Sequence, residues 1–169
     1  MKTEATIENG YVLFWGGCFS NFYPCKIIYK EHEFNCSEQL FMWQKALFFN
    51  DEETAEEILK AKGPKEAKKL GRQVKGFNDV EWRKGREYAM RVAVYEKFNQ
   101  NDDLFNELVD EKYDGLQFVE ASPVDRIWGI GYDVNRAFDV NENQWGMNLL
   151  GKTINEIRED LINEQVTQI

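Results

Sequence analysis

Two residues of opposite charge, Glu38 and Lys45, stand out on a stretch that is otherwise largely apolar. The stretch, residues 36–49, reads C-S-E-Q-L-F-M-W-Q-K-A-L-F-F, and its apolar residues recur at the three- and four-residue spacing of a helix. On a helix the two polar side chains lie within roughly 20° of each other around the axis and about 10 Å apart along it. Helical side chains lean toward the N-terminus, so a long lysine can extend toward the acid. An acid and an amine on one apolar face could hold and attack a carbon electrophile.

Each of these residues also has a purely structural interpretation. If Asn35 caps the helix, Glu38 falls at the third helical position and completes a variant of the capping box. Lysines on amphipathic helices usually point to solvent, and Lys45 could do the same. The catalytic alternative requires an amine packed against Phe41, Phe48 and Trp side chains, because lost hydration lowers the pKa of a lysine toward that of a nucleophile.

A second unusual stretch, S-P-V-D-R-I-W-G-I-G-Y-D at 122–133, carries a further acid and a tryptophan. Asp125 could be a second active-site carboxylate or a turn residue, and Trp128 could form a ligand platform or belong to the core. The Gly-x-Gly at 129–131 is weak evidence for phosphate binding, because it is not the complete G-x-G-x-x-G motif that follows a strand in dinucleotide-binding proteins. Elsewhere in the chain, Arg72 could bind phosphate through its planar guanidinium or cap a helix C-terminus.

The elements that must position these residues are predicted from periodicity and turn signals. Strands are predicted at 11–15, 25–30 and 116–120, and helices at 36–49, 51–60, 64–70, 80–99, 102–112 and 148–162. The helices dominate and do not alternate regularly with the strands. The predicted fold is therefore α+β and helix-dominant, with a small β-sheet packed by several helices, in one domain of residues 1–169.

Three connecting segments carry polar residues. In the segment 16–24, Ser20 and Asn21 beside aromatic residues could place hydrogen bonds at the edge of an aromatic pocket or form an Asx turn. His32 is predicted to lie in a hairpin turn between two short extended runs. The polar segment 133–144 is predicted to be a long loop, and loops of that length are usually functional or mobile.

The composition excludes several classes of function. With 43% hydrophobic and 14% aromatic residues, the chain does not resemble a disordered one. A formal charge of −9 would repel nucleic acid at long range, so any contact with it must be local. Three cysteines without a C-x-x-C pair and a single histidine argue against a disulfide framework, a zinc site or a Ser-His-Asp triad. No metal and no other cofactor is expected.

Because the sequence shows no signal peptide and no membrane-spanning stretch, a cytoplasmic protein without membrane contact is expected.

Taken together, these stretches resemble the NADAR family, the YbiA-like N-glycosidases. The resemblance runs in order along nearly the whole chain through F-S-N-F (19–22), S-E-Q-L-F-M-W-Q-K (37–45), A-K-K-L-G-R (67–72), W-R-K-G-R (82–86), V-E-A-S-P-V-D-R-I-W-G-I-G (119–131) and W-G-M-N-L-L-G-K (145–152). Each motif is short, but the combination is specific.

The resemblance implies hydrolysis of an N-glycosidic bond at the anomeric carbon of a ribose. Family members remove ribosyl phosphate from early riboflavin-pathway intermediates, and others remove ADP-ribose from guanine bases of nucleic acid. The implied catalytic residues are Glu38, Lys45 and Asp125, with Lys45 forming a Schiff base to the opened sugar. The implied substrate-binding residues are Ser20, Asn21, Phe22, Arg72, Trp82, Trp128, Gly129, Gly131 and Asn148.

Three functions are compatible with these residues. Removal of ADP-ribose from guanine in DNA or RNA is preferred, because the long segment after Gly131 leaves room for a substrate larger than a monophosphate. The nucleic acid would then be bound locally, as a flipped or single-stranded base. The second function is cleavage of the ribosylamino-pyrimidines of the riboflavin pathway, in which the substrate carries a ribosyl phosphate. A non-catalytic NAD or ADP-ribose-binding module is the third, but it would not need both Glu38 and Lys45. Met147 stands where family members often carry a lysine or another polar residue, which argues against a phosphate contact there.

Overall fold

The computed structural model describes residues 1–167 of the chain. Within that part the strands and α-helices are β1 (Ala5–Glu8), β2 (Tyr11–Phe14), β3 (Ile27–Tyr29), β4 (His32–Phe34), α1 (Ser37–Phe48), α2 (Glu52–Leu59), α3 (Pro64–Gly71), α4 (Asp79–Asn99), α5 (Asp102–Leu108), β5 (Gln117–Glu120) and α6 (Leu149–Thr167). Single turns of 3-10 helix lie at Glu111–Tyr113, Ala137–Asp139 and Glu142–Gln144. The helices dominate the short strands, so the predicted α+β, helix-dominant fold is confirmed.

The chain packs as two compact units, each with its own sheet. One comprises Met1–Ser20 and the described residues from Asp103 onward, and the other comprises Asn21–Asp102. The assignment of residues 1–169 to a single domain stays a prediction.

The first unit contains a three-stranded sheet with the strand order β1-β2-β5. β1 runs antiparallel to β2, and β2 runs parallel to β5. Helix α6 packs on β5, and two asparagines bond to the backbone of that strand. The Asn155 side-chain oxygen accepts from the Phe118 N–H and the Asn148 side-chain oxygen accepts from the Glu120 N–H, both at 3.0 Å. These amides satisfy strand donors that would otherwise need water or another strand.

The segment 133–144 is a loop, as predicted, with single 3-10 turns at Ala137–Asp139 and Glu142–Gln144, and it is packed rather than open. Partly buried aromatic residues of this region pack on a buried cluster formed by Leu13, Val119, Ala121, Ile130 and Ala137. The Tyr11 hydroxyl donates to the Glu142 carboxylate at 2.7 Å, and the Trp145 indole N–H donates to the Ala137 carbonyl at 2.9 Å. The difference arises because a few aromatic side chains, rather than the many polar ones, decide how the segment packs.

The second unit contains the β3–β4 hairpin and helices α1 to α4. Lys30 and Glu31 form the hairpin turn with φ values of 47° and 67°, which lie in the left-handed region used by two-residue turns. His32, which the sequence places in the turn, is instead the first residue of β4 and pairs with Tyr29. Its ring lies 5.4 Å from that of Trp43 on α1, so it serves packing.

Helix α1 is the central element of the second unit and contacts α2, α3 and α4. Two glycines allow its neighbours to approach closely. A Cβ added to Gly71 at the end of α3 would overlap the Met42 side chain, and one added to Gly85 on α4 would overlap the Phe48 ring. Both helices therefore bring their backbones against α1 at points where any larger residue would separate them.

The predicted boundaries differ from the observed ones in a few places. The sequence does not predict β1, which is short and largely exposed, and it predicts β4 only as a short extended run after His32. α5 ends at Leu108 rather than at residue 112, because the Asp110 side chain accepts a bond from the Lys112 N–H and starts a separate 3-10 turn. Among the described residues, no helix combines the length and the apolar character needed to cross a membrane.

Candidate active site on helix α1

Asn21 anchors the first turn of α1, which carries Glu38. Its backbone carbonyl accepts a hydrogen bond from the Glu38 N–H at 3.1 Å, and its side-chain oxygen accepts one from the Ser37 hydroxyl at 2.9 Å. Its amide nitrogen lies 3.2 Å from the sulfur of Met90. These contacts engage both ends of a buried side chain, so Asn21 serves the position of Glu38. A contact between Asn21 and substrate stays a prediction.

Glu38 is not part of a capping box, so that alternative is wrong. The N-cap of α1 is Cys36, which makes no side-chain capping bond, and Glu38 is therefore the second helical residue. The side chain of Asn35 instead donates to the Ala61 carbonyl at 2.9 Å, and its backbone N–H donates to the Gln39 side-chain oxygen at 2.7 Å. Gln39 thus makes the return bond that the capping box would assign to Glu38. Glu38 is only 6% exposed, and capping does not explain a buried acid at this position.

Lys45 does not extend freely into solvent. Its ammonium nitrogen donates to the Gly71 carbonyl at 2.8 Å and lies 4.3 Å from the centroid of the Phe77 ring. Burial lowers the pKa of Lys45; the Glu38 charge opposes this shift and the Arg72 charge adds to it. The predicted direction of the pKa is confirmed, but the ring over the amine is that of Phe77, which the sequence did not point to. A lowered pKa is a property that a nucleophilic lysine requires, and the role of Lys45 as nucleophile stays a prediction.

Arg72 closes α3 and carries charge near Lys45. Its backbone N–H donates to the Lys68 carbonyl at 3.2 Å, as expected for the C-cap residue. Its side chain is exposed, and its charge reaches the Lys45 amine. The two interpretations offered by the sequence are therefore compatible, since the backbone ends the helix while the guanidinium stays available for an anion.

The two predicted aromatic residues of this unit differ in their surroundings. Trp82 is 6% exposed, and its ring lies 5.6 Å from that of Phe41 and 5.3 Å from that of Phe48, so it belongs to the contact between α1 and α4. Phe22 is half-buried beside a surface cavity of about 400 Å³ at the start of α3. The Lys68 ammonium lies 5.5 Å from the centroid of its ring. Phe22 is thus the more accessible of the two.

The other predicted site residues lie in the first unit. The Asp125 carboxylate accepts bonds from the backbone N–H groups of Ile127 and Trp128, each at 2.8 Å. These bonds favour the turn interpretation of Asp125, because one of its oxygens already holds the backbone. Trp128 is half-buried. Their roles in catalysis and in substrate binding stay predictions.

Four further predicted residues of the first unit have identifiable structural tasks. The N–H of the buried Ser20 donates to the Gly17 carbonyl at 3.1 Å. A Cβ on Gly129 would lie 2.6 Å from the Glu120 carbonyl oxygen, and Gly131 has a φ of 78°. The Asn148 side chain bridges β5, accepting from the Glu120 N–H and donating to the Phe118 carbonyl. Binding of substrate by any of the four stays a prediction.

Comparison with known proteins identifies the family. The family model for the NADAR domain matches residues 13–162 of the chain. The chain belongs to the NADAR family. Three relatives illustrate the range of proteins that it resembles. It is 37% identical to Protein irg-1 of Caenorhabditis elegans over 92% of the chain and 81% of that protein. It is 37% identical to N-glycosidase R617 of Acanthamoeba polyphaga mimivirus over 84% of the chain and 86% of that protein.

A third relative is longer than this NADAR chain. The chain is 32% identical to the Riboflavin biosynthesis protein VVA0006 of Vibrio vulnificus over 86% of its own length but only 35% of that protein. Among solved structures, the NMR structure of the Escherichia coli protein YbiA matches with a TM-score of 0.75 and 28% identity, covering 96% of the chain and 91% of YbiA. The predicted family and fold are confirmed. The predicted enzyme class, a hydrolase acting on N-glycosyl bonds, is also confirmed by the relatives named N-glycosidase.

Sequence reasoning missed three residues around Lys45. Gly71 accepts its hydrogen bond, Phe77 covers its amine, and Asp51 accepts a bond from the Lys75 N–H two residues before that ring. Gly71 and Phe77 lie 26 and 32 positions from Lys45, so helical periodicity within α1 could not indicate them. Asp51 was visible only as an acid at the start of α2.

Proposed function

We propose that this NADAR protein cleaves the bond between the anomeric carbon of a ribose and an exocyclic base nitrogen, with Lys45 as the nucleophile. The observation that carries the proposal is the environment of Lys45. A half-buried amine with a lowered pKa lies on the same helix as a buried acid whose charge acts on it. A larger share of such an amine is neutral at ordinary pH than of an exposed lysine, and only the neutral form can attack carbon.

The substrate chemistry suits an amine of this kind. A sugar joined to an exocyclic nitrogen can open its ring to an imine, and the ring oxygen then takes up a proton. The neutral Lys45 amine adds to the imine carbon, a proton moves to the base nitrogen, and the base leaves as a free amine. The sugar carbon is now joined to Lys45 as a Schiff base. Addition of water and expulsion of the lysine amine release the free sugar, so one water is consumed for each bond cleaved.

Glu38 is the proposed proton carrier in this sequence. As a carboxylic acid it can give a proton to the ring oxygen or to the departing nitrogen, and as a carboxylate it can take one from the attacking water. General acid–base catalysis by a well-placed group typically contributes about 10²–10⁴-fold to the rate. Its position on α1, fixed by the Asn21 carbonyl, places the acid on the helix that carries the nucleophile.

The preferred substrate carries ADP-ribose on guanine in DNA or RNA. Because the loop 133–144 is packed, its length no longer supports room for a large substrate. The remaining support is charge, because α3 and its C-cap carry Lys65, Lys68, Lys69 and Arg72 against one acid, Glu66, in a chain of net charge −9. A pyrophosphate would be attracted to this local excess of positive charge near Lys45, while the rest of the surface limits binding of nucleic acid to local contacts.

A ribosylamino-pyrimidine of riboflavin biosynthesis is the second candidate substrate. It is favoured by the name of the Vibrio vulnificus relative, Riboflavin biosynthesis protein VVA0006, and its single phosphate would also suit the positive charge of α3. A non-catalytic module that binds NAD or ADP-ribose is the third reading. Such a module gains nothing from an amine kept half-dehydrated beside an acid, which favours catalysis.

Borohydride trapping tests the proposal. The protein is incubated with ADP-ribosylated guanine DNA or, separately, with the ribosylamino-pyrimidine phosphate, each with and without borohydride. We expect borohydride to stop release of the base and to leave a reduced sugar adduct on Lys45, located by peptide mass spectrometry. Lys45→Ala and Lys45→Arg should give neither product nor adduct, whereas Lys84→Ala, which removes an exposed lysine on α4, should behave as the unchanged protein. An active Lys45→Ala enzyme would exclude the Schiff base, and turnover of the pyrimidine alone would reverse the order of the two substrates.

A further inference from the structure

Asp51 connects three parts of the second unit through one buried residue. As the N-cap of α2, its carboxylate accepts a bond from the Thr54 N–H at 3.1 Å, and its second oxygen accepts one from the Lys75 N–H at 2.8 Å. Its own N–H donates to the carbonyl of Ala46, the residue after Lys45, at 2.9 Å. Asp51 is 6% exposed. Asp51 therefore bonds to the end of α1 through its backbone N–H, and to the start of α2 and the segment that follows α3 through its carboxylate.

The segment held by Asp51 leads to the ring over Lys45. After Lys75, Gly76 turns the chain with a φ of 71°, a conformation that glycine adopts readily. The Phe77 ring then lies 5.5 Å from the Phe49 ring and 4.3 Å from the Lys45 ammonium nitrogen. Phe77 is 47% exposed, so burial alone does not hold its ring in place. The bond from the Lys75 N–H to Asp51 fixes the backbone two residues before it.

We propose that Asp51 is a positioning residue for Lys45, because its carboxylate holds the Lys75 backbone beside the end of α1, to which the Asp51 N–H is itself bonded, and so keeps Phe77 over the amine. This inference concerns the surroundings of Lys45 and can be tested without turnover. Its consequence for the reaction rests on the proposed function.

The direction of a pKa change separates positioning from a simple charge effect. The charged groups that act on Lys45 from the neighbouring elements are Glu38 on α1 and Arg72 at the end of α3. If Asp51 acted on Lys45 only as a negative charge, its removal would lower the pKa of the amine further. If it positions Phe77, its removal lets water reach the amine, and the pKa rises toward the ordinary value.

Asp51 is charged, and the side chain of Lys75 takes no part in the bond between the Lys75 backbone and Asp51. The pKa of Asp51 is lowered, chiefly by the bond from the Lys75 N–H, so the carboxylate is ionised at neutral pH and available as an acceptor. The Lys75 ammonium is occupied separately by Glu53 in an exposed ion pair at 2.6 Å. Backbone and side chain of Lys75 can therefore be perturbed one at a time.

Asp51→Asn cuts the proposed connection with little change of shape. Asparagine is a good helix cap through its side-chain oxygen, but its amide nitrogen cannot accept a bond from the Lys75 N–H. Asp51→Ser is the second variant, since serine also caps α2 while being one atom too short to keep both bonds. Glu53→Gln is the matched control, because it removes the ion pair of Lys75 and leaves the backbone bond intact.

The lysines are labelled by reductive methylation with ¹³C-formaldehyde, and the Lys45 signal is assigned by its loss in Lys45→Arg. Its pKa is then measured by NMR titration in each variant, after thermal unfolding has shown that the variant is folded. We expect both Asp51 variants to raise the pKa of Lys45 and Glu53→Gln to leave it unchanged. An unchanged or lowered pKa in a folded Asp51→Asn protein would overturn the proposal.

Activity measurements on Asp51→Asn distinguish the positioning role of Asp51 from the proposed role of Lys45 as the nucleophile. If Lys45 is the nucleophile, kcat/KM of Asp51→Asn at pH 7 should fall by about tenfold for each unit that the pKa rises, and the fall should be recovered at higher pH. A raised pKa with no change in the pH profile would leave the positioning role in place and would count against Lys45 as the nucleophile. A changed profile with an unchanged Lys45 pKa would count against the positioning role alone.

Discussion

The Lys45 ammonium nitrogen lies 4.3 Å from the centroid of the Phe77 ring, at a point where the same ring both attracts and dehydrates it. The face of an aromatic ring favours a cation, whereas the apolar cover disfavours one. Burial is the largest cause of the lowered pKa of Lys45, and Phe77 is one of the groups that cover the amine. The two effects can be separated by substitution of the ring.

Two substitutions of Phe77 should move the pKa of Lys45 in opposite directions. Phe77→Leu keeps apolar cover but removes the ring's attraction for the cation, so the pKa should fall. The expected change is less than one unit, since an exposed interaction of this kind contributes about 0.5–1 kcal/mol. Phe77→Ala admits water to the amine, so the pKa should rise. NMR titration of the labelled lysine measures both, and a fall in Phe77→Ala would show that the ring does not shield Lys45.

Replacement of Glu38 by glutamine should abolish proton transfer while keeping the fold. Glu38→Gln retains the size and helix preference of the side chain, and the residue does not cap α1. We expect kcat to fall by about 10²–10⁴-fold, the range typical of a lost general acid–base group. The pKa of Lys45 should fall further, because Glu38 raises it.

Glu52→Gln, at the exposed start of α2, is the matched control for Glu38→Gln and should retain full activity. Steady-state kinetics and thermal unfolding of both variants provide the measurement. A Glu38→Gln enzyme with kcat within tenfold of the unchanged protein would remove Glu38 from the proposed mechanism.

The helices of the second unit were predictable because each leaves a local signal. α1 shows apolar periodicity, α2 begins with acids after Asp51, and α3 begins at Pro64 and ends at Gly71. A lowered pKa of Lys45 was one of the two alternatives that its apolar stretch left open. What periodicity could not supply was the partner of that amine, because Gly71 and Phe77 reach it through the approach of α3 to α1.

Polar residues were the weakest basis for prediction from sequence. Asn35 resembles a helix cap, but its amide bonds to Ala61 instead, and the choice depends on a chain segment 26 residues away. The segment 133–144 is a loop as its polar sequence predicts, but the sequence does not show that the Phe138 ring packs 6.1 Å from that of Tyr11 on β2. Such bonds join distant parts of the chain, and no local pattern reports them.

Asn148 is expected to act chiefly through the fold. Its amide makes two bonds to β5, and its φ of 51° lies in the left-handed region. Asn148→Ala should lower the free energy of unfolding by about 1–3 kcal/mol, since it removes both bonds and strains the backbone. Asn148→Gly, which removes the bonds but suits the backbone, should cost less. Urea unfolding gives the energies.

Kinetics of the same variants tests the alternative in which Asn148 binds substrate. A structural role predicts an unchanged KM for protein that remains folded, and Asn155→Ala, which removes one bond to Phe118, should behave in the same way with a smaller loss of stability. A rise of KM in Asn148→Gly that is absent from Asn155→Ala would instead support a contact with substrate.

Substitution of Gly71 should couple the packing of α3 to the state of Lys45. In Gly71→Ala the new methyl group would overlap the Met42 side chain, and we expect the resulting shift of α3 to weaken the bond between the Gly71 carbonyl and the Lys45 amine. We expect a loss of about 1–3 kcal/mol in stability, as for other overpacked contacts. Met42→Ala in the same chain should recover part of this loss by making room for the methyl group.

Gly63→Ala is the matched control for Gly71→Ala, because a Cβ there meets nothing within 4 Å and its φ of 179° is extended backbone open to any residue. It should change the free energy of unfolding by no more than about 0.5 kcal/mol, as is usual for a substitution on an open surface. Urea unfolding of the two single variants, Met42→Ala and the double variant gives the coupling energy between positions 42 and 71. A coupling energy near zero would mean that α3 does not rest on Met42, and the close approach that brings the Gly71 carbonyl to Lys45 would then need another cause.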